Sequence, residues 1–148
     1  MQDSDPALIV SNCIFGDGAA AVVLEPSNNT GYLTIRDFAT GIYSKYREQL
    51  RYRTMPDGRL RNVLSKRVPV IGSKVIQEAT ERLLQPYELT IEDIPWWAVH
   101  AGGVAVLDQV QSRIDLPEGI LQFSYDTFSN YGNMSSPTLP YPSLCVTF

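Results

Sequence analysis

Apolar residues recur along this chain in two distinct patterns. Short continuous runs fall at residues 7–15, through Leu8, Ile9, Val10 and Ile14, and at residues 19–26, with Gly16-Asp17-Gly18 between them. Uninterrupted, β-branched runs of that length predict strands covered on both faces. Residues 27–31 read as a turn, and residues 32–38 alternate as a half-buried strand does. From residue 41 to 66 the pattern weakens. It predicts a loop-rich excursion with short strands at 52–55 and 60–64 around a Pro56-Asp57-Gly58 turn. The second pattern is helical. Val70, Val75, Ile76, Ala79, Leu83 and Leu84 recur near helical spacing, with Pro69 in the first turn and Pro86 at the end, predicting a helix over 68–84. Residues 90–94 predict a short capped turn, and Trp96 to His100 a buried strand. A helix over 104–114 would bury Val104, Leu107, Val110 and Ile114, and Pro117-Glu118 opens a further segment to about Asn130. Strands separated by helices predict an α/β domain with a mixed β-sheet and packed helices.

Composition narrows the function classes. The 148 residues suit a single domain, and 44% hydrophobic with 19% charged content fits a globular chain with a real core. A net charge of −4 argues against a nucleic-acid partner. A local basic stretch runs against that balance: Lys45, Arg47, Arg51, Arg53, Arg59, Arg61, Lys66 and Arg67. It reads either as a solvated surface excursion or as a place to meet an anionic phosphopantetheine carrier. The two cysteines, Cys13 and Cys145, have no metal-ligand spacing and one histidine to help, so no metal site is expected. No disulfide scaffold is implied, and a reducing cytoplasm is the expected setting. The longest apolar stretch, residues 19–24, is too short to span a bilayer, and no membrane partner is expected. The amino end has no signal-peptide pattern. It runs straight into an apolar segment, as if cut from something longer.

Three segments carry candidate chemistry: Phe15-Gly-Asp-Gly-Ala-Ala-Ala, His100-Ala-Gly-Gly-Val-Ala-Val-Leu-Asp and Asn130-Tyr-Gly-Asn-Met-Ser-Ser-Pro. Singly, each has an ordinary reading. Gly-Asp-Gly is a bulge or tight turn. A histidine ending a buried strand is a hydrogen-bonded core residue. Asn133 with Ser135-Ser136-Pro137 is a helix start. Together and in this order, they resemble the condensing enzymes of the thiolase superfamily, and among them the chalcone synthase (type III polyketide synthase) family. His100 and Asn133 lie 33 residues apart, as the resemblance requires.

The resemblance spans nearly the whole chain, and it implies a thiolase-like C-terminal half that lacks the family's nucleophilic cysteine. It implies acyl-CoA and malonyl-CoA as substrates, no bound cofactor, a partnering N-terminal half, and a homodimer in a full-length parent. The implied reaction is decarboxylative condensation of malonyl-CoA with an acyl group held as a cysteine thioester. His100 and Asn133 would be the catalytic donors. Phe15 would be a pocket phenylalanine, with Gly102, Gly103 and Ala105 beside the pantetheine arm. Neither Cys13, expected to be packed in an apolar strand, nor Cys145 is read as the nucleophile. Departures from the family also stand out. Asn62 falls where a pocket phenylalanine is expected, and Ala101 follows His100 where plant enzymes have proline, so naringenin chalcone is not the implied product. Pro137, Pro140 and Pro142 forbid the helix that should follow Asn133, which suggests an irregular end from about residue 137, by truncation or frameshift. Two other readings stay open: a 3-oxoacyl-[acyl-carrier-protein] synthase III-like domain, and a non-catalytic remnant or binding subunit that packs on another thiolase-fold half.

Overall fold

The computed structural model describes residues 6–26 and 33–139. The chain opens with α1, Pro6–Ile14, where the apolar run predicted a strand. Burial along this segment shows why it is a helix. Ser11 is buried, with Leu8 and Ile14 partly buried three residues to either side, while Ile9 and Val10 are exposed. That spacing is the helical period, and the polar residue at its centre hides it from a count of apolar positions.

The expected strands at 19–26, 33–38 and 96–100 are not formed as strands among the described residues; residues 27–32 lie outside them. Backbone N–H and C=O groups of an extended segment need a neighbouring strand to close a ladder. Among the described residues, sheet structure is limited to an antiparallel hairpin, β1 Leu50–Thr54 with β2 Leu60–Leu64, and a parallel bridge between Phe15 and Asn133. The predicted Pro56-Asp57-Gly58 turn closes that hairpin. Met55 O accepts from Gly58 N–H at 2.9 Å, and Gly58 takes φ +81, which a side chain would strain.

Helix α2, Val68–Leu84, has the predicted bounds, with Pro69 in its first turn. A 3-10 turn at Gln85–Tyr87 follows, and Thr90 then donates both its N–H and its hydroxyl to Asp93 at 2.8 Å. Those two donors hold the Asp93 carboxyl below its usual range. Helix α3, Val104–Arg113, packs against α2, where Arg113 Nε donates to Ser73 Oγ at 2.9 Å. Helix α4, Gln122–Tyr131, completes the set.

The core lies among α3, α4 and the segment ahead of α3: Val99, Ala101, Leu107, Val110, Ile114, Leu116 and Leu121. Leu107, Val110 and Ile114 are inward as predicted, but Val104 is half-exposed at the helix start. Of the expected buried strand 96–100, only Val99 is buried, at 7% exposure. Its N–H donates to Ser124 Oγ of α4 at 3.1 Å, in place of a sheet partner. Among the described residues past Asn133, the chain makes a 3-10 turn, Ser136–Thr138, in keeping with Pro137. The tail from residue 140, with Cys145, lies outside the described residues.

Candidate functional site

The three motif segments meet in space. Asn133 N–H donates to Ile14 O at 2.7 Å, and Gly16 N–H donates to Asn133 O at 3.1 Å, which clamps the first motif to the third. The glycines make this approach possible. A side-chain carbon on Gly16 would fall onto the Tyr131 carbonyl, a backbone atom that cannot step aside. Gly132 sits at φ +70, and a carbon there would crowd Ile14 O at 3.0 Å. On Gly18 the collision would be with the Met134 thioether, the end of a flexible side chain.

The second motif joins through Asn133. Its carboxamide N–H₂ donates to Gly102 O at 3.4 Å, and its Oδ1 accepts from Ser135 N–H at 2.9 Å. Asn133 is 7% exposed, so these two bonds fix its side chain. Gly102 also carries the link to the histidine. Its N–H donates to His100 O at 2.9 Å, and a carbon built on it would lie 3.5 Å from Cδ2 and Nε2 of the imidazole. The ring of His100 and the carboxamide of Asn133 therefore both border Gly102. Partial burial of His100 lowers its pKa below the usual 6.5 and favours the neutral imidazole, an N–H donor without a charge.

The remaining predicted positions surround this pair. Gly103, at φ +149, caps the start of α3, with open space where a side chain would stand. Ala105 is exposed as the second residue of α3, and Phe15 is 45% exposed beside the bridge. Cys13 departs from expectation: it lies on α1, exposed, rather than packed in a strand. Asn62, on β2, donates through Nδ2 to Ser11 Oγ at 2.6 Å, while its Oδ1 is buried without a partner among the described residues. Sequence patterns gave no sign of the Ser11 or Ser124 contacts, because a buried serine leaves no apolar signal. Gly132 was visible within its motif, but its close approach to Ile14 was not.

Residues 52–142 match the family model for chalcone and stilbene synthases, C-terminal domain, which is more than half of the chain. The chain belongs to the chalcone and stilbene synthase family. Solved type III polyketide synthases are similar to it. A type III pentaketide synthase from Neurospora crassa matches over 81% of this chain and 34% of its own, at 26% identity and TM-score 0.65. A fungal type III polyketide synthase matches over 70% of this chain and 28% of its own, at 29% identity and TM-score 0.60. PKS-I from the brown alga Ectocarpus siliculosus matches over 68% and 26%, at 26% identity and TM-score 0.61. The chalcone and stilbene synthase-like chain thus spans between about a quarter and a third of the length of these structures. The fold class is the thiolase-like α/β arrangement that the resemblance implied.

Proposed function

We propose that this chain is the C-terminal half of a type III polyketide synthase-like acyltransferase. It would work with a thiolase-fold half that carries the nucleophilic cysteine. The observation that carries the reading is the meeting of His100 and Asn133 at Gly102, each a neutral hydrogen-bond donor. When malonyl-CoA loses carbon dioxide, the bond between its carboxylate and α-carbon breaks. The electron pair moves into an enolate whose negative charge sits on the thioester oxygen. Fixed neutral donors in a partly dry site stabilise that oxygen strongly, because they need no reorganisation as the charge develops. The enolate carbon would then attack the acyl thioester on the partner half's cysteine, forming the carbon–carbon bond as the C–S bond breaks and the cysteine leaves as thiolate.

Gly102, Gly103 and Ala105 would flank the pantetheine arm of acyl-CoA or malonyl-CoA, and Phe15 would border the acyl pocket. Asn62 and Ser11 would make part of that pocket polar where a ring is expected, which favours a product other than naringenin chalcone. Homodimerisation and a cytoplasmic setting belong to the same proposal. A second reading, a non-catalytic subunit packed on another thiolase-fold half, is favoured by the exposed apolar residues at 22–24 and 33–38.

The two readings separate in one experiment. The chain is mixed with a cysteine-bearing N-terminal half of a type III synthase, and carbon dioxide release from malonyl-CoA is followed. The enzyme reading expects release that falls roughly 100- to 1,000-fold on His100→Ala or Asn133→Ala. Association without release supports the binding subunit, and release indifferent to both substitutions contradicts the donor pair.

A further inference from the structure

His100 lies on a segment that keeps its place without a sheet. Among the described residues no strand runs beside residues 96–101, and none of these belongs to a helix. Trp97, Val99 and Ala101 face the core in alternation, the first partly buried and the others 7% and 0% exposed, so His100 points to the other side. A row of apolar contacts resists withdrawal from the core but fixes roll about the segment's axis poorly, and Ala101 offers only a methyl group. A hydrogen bond is directional, and here it comes from a side chain.

The Val99 N–H, one residue ahead of His100, donates to Ser124 Oγ at 3.1 Å. Ser124 is completely buried in the first turn of α4. At the far end of the same helix stands Asn133, two residues past Tyr131, with Gly132 N–H still bonded to Phe128 O at 2.8 Å. The Asn133 carboxamide donates to Gly102 O at 3.4 Å. Helix α4 therefore grips the segment on both sides of His100, at Val99 through Ser124 and at Gly102 through Asn133. Internal hydrogen bonds fix the rise of a helix, so the two grips keep a set separation.

We propose that Ser124 is a positioning residue: by holding Val99 it sets the roll of the segment that aims the His100 imidazole at the space bordered by Gly102 and Asn133. The hydroxyl touches no substrate and acts through the Val99 amide. A misplacement of about 1 Å at a reacting group can cost about 100-fold in rate. Any effect on a reaction rests on the proposed function, whereas the grip on His100 belongs to the chain by itself.

The chain has one histidine, so its ring signals in an NMR spectrum are unambiguous. A side-chain carbon on Gly102 would lie 3.5 Å from the ring Cδ2, so a nuclear Overhauser effect between His100 Hδ2 and Gly102 Hα reports where the ring sits. Ser124→Ala should abolish that effect and shift the ring signals. Ser124→Cys, which keeps the shape but offers a weak acceptor, should shift them the same way and by less. Ser73→Ala removes another completely buried hydroxyl, between α2 and α3, and should leave them in place. Unmoved ring signals with an intact Overhauser effect in a folded Ser124→Ala or Ser124→Cys chain would overturn the proposal, as would an equal shift in Ser73→Ala. In the mixture with a cysteine-bearing half, Ser124→Ala should lower kcat for carbon dioxide release about 10- to 100-fold, with the malonyl-CoA KM little changed. A raised KM at unchanged kcat would contradict it. No release by the unsubstituted chain would count against the proposed function, and the ring signals would still decide the role of Ser124.

Discussion

Residues 15–26 and 33–42, set against residues 97–128, are built from similar amino acids and have opposite fates. In the second region Leu107, Val110 and Leu121 are completely buried among α3, α4 and the segment before α3. In the first, Val22, Leu24, Leu33, Ile35 and Phe38 are largely exposed, and Val23 is 89% so. The contrast lies in the partners rather than in the apolar content. A helix closes its own backbone hydrogen bonds and needs only a face to bury. An extended segment needs a second chain segment for both its backbone and its side chains. In the proposed function, these exposed apolar segments would be the surface that the cysteine-bearing half covers.

Substitutions can sharpen that contrast. The largest loss is expected from Leu107→Ala in the core, about 2–5 kcal/mol by urea unfolding, since a cavity adds to the lost burial. Gly16→Ala should cost about 1–3 kcal/mol, because the Tyr131 carbonyl opposes the added carbon through the backbone. Gly18→Ala should cost less, since the Met134 side chain can move. Ser124→Ala strands the buried Val99 N–H and should cost about 1–3 kcal/mol in the same assay. At the other extreme, Val23→Ser should change the stability of the chain by no more than about 0.5 kcal/mol. A loss as large as that of Leu107→Ala would break the contrast outright.

The pH response offers a subtler check. The folded-state pKa of His100 is depressed below 6.5 by burial, so the unfolded chain takes up its proton first as pH falls. Its contribution to stability is complete above about pH 6.5 and is lost as pH drops from there through the lower folded value. The chain has one histidine, so an NMR titration of the imidazole reads the site without overlap. A midpoint at or above 6.5 would contradict a neutral, partly buried donor.

Legibility in the sequence follows from how local each cause is. The bounds of α2 and the Pro56-Asp57-Gly58 turn were readable because Pro69, Pro86 and Gly58 act on their own backbone. Helix α1 reads as a strand in the sequence because the buried position at its centre is the polar Ser11, which is bonded to Asn62, 51 residues away. The strands at 19–26 and 33–38 had the right residues, but a ladder requires a partner the pattern could not supply. At the site, motif order pointed to His100 and Asn133 through a resemblance. Their meeting at Gly102 depends on the bridge from Ile14 and Gly16 to Asn133, which no local pattern encodes.

The central claim is that the exposed apolar segments form the mating face of a condensing-enzyme half. Amide hydrogen exchange tests it most directly, measured on the chain alone and after mixing with a cysteine-bearing N-terminal half. The account predicts rapid exchange at residues 19–26 and 33–38 alone, strong protection of both on mixing, and protection of α3 throughout. Exchange in those segments that stays rapid in the mixture, or is already slow in the isolated chain, would contradict it.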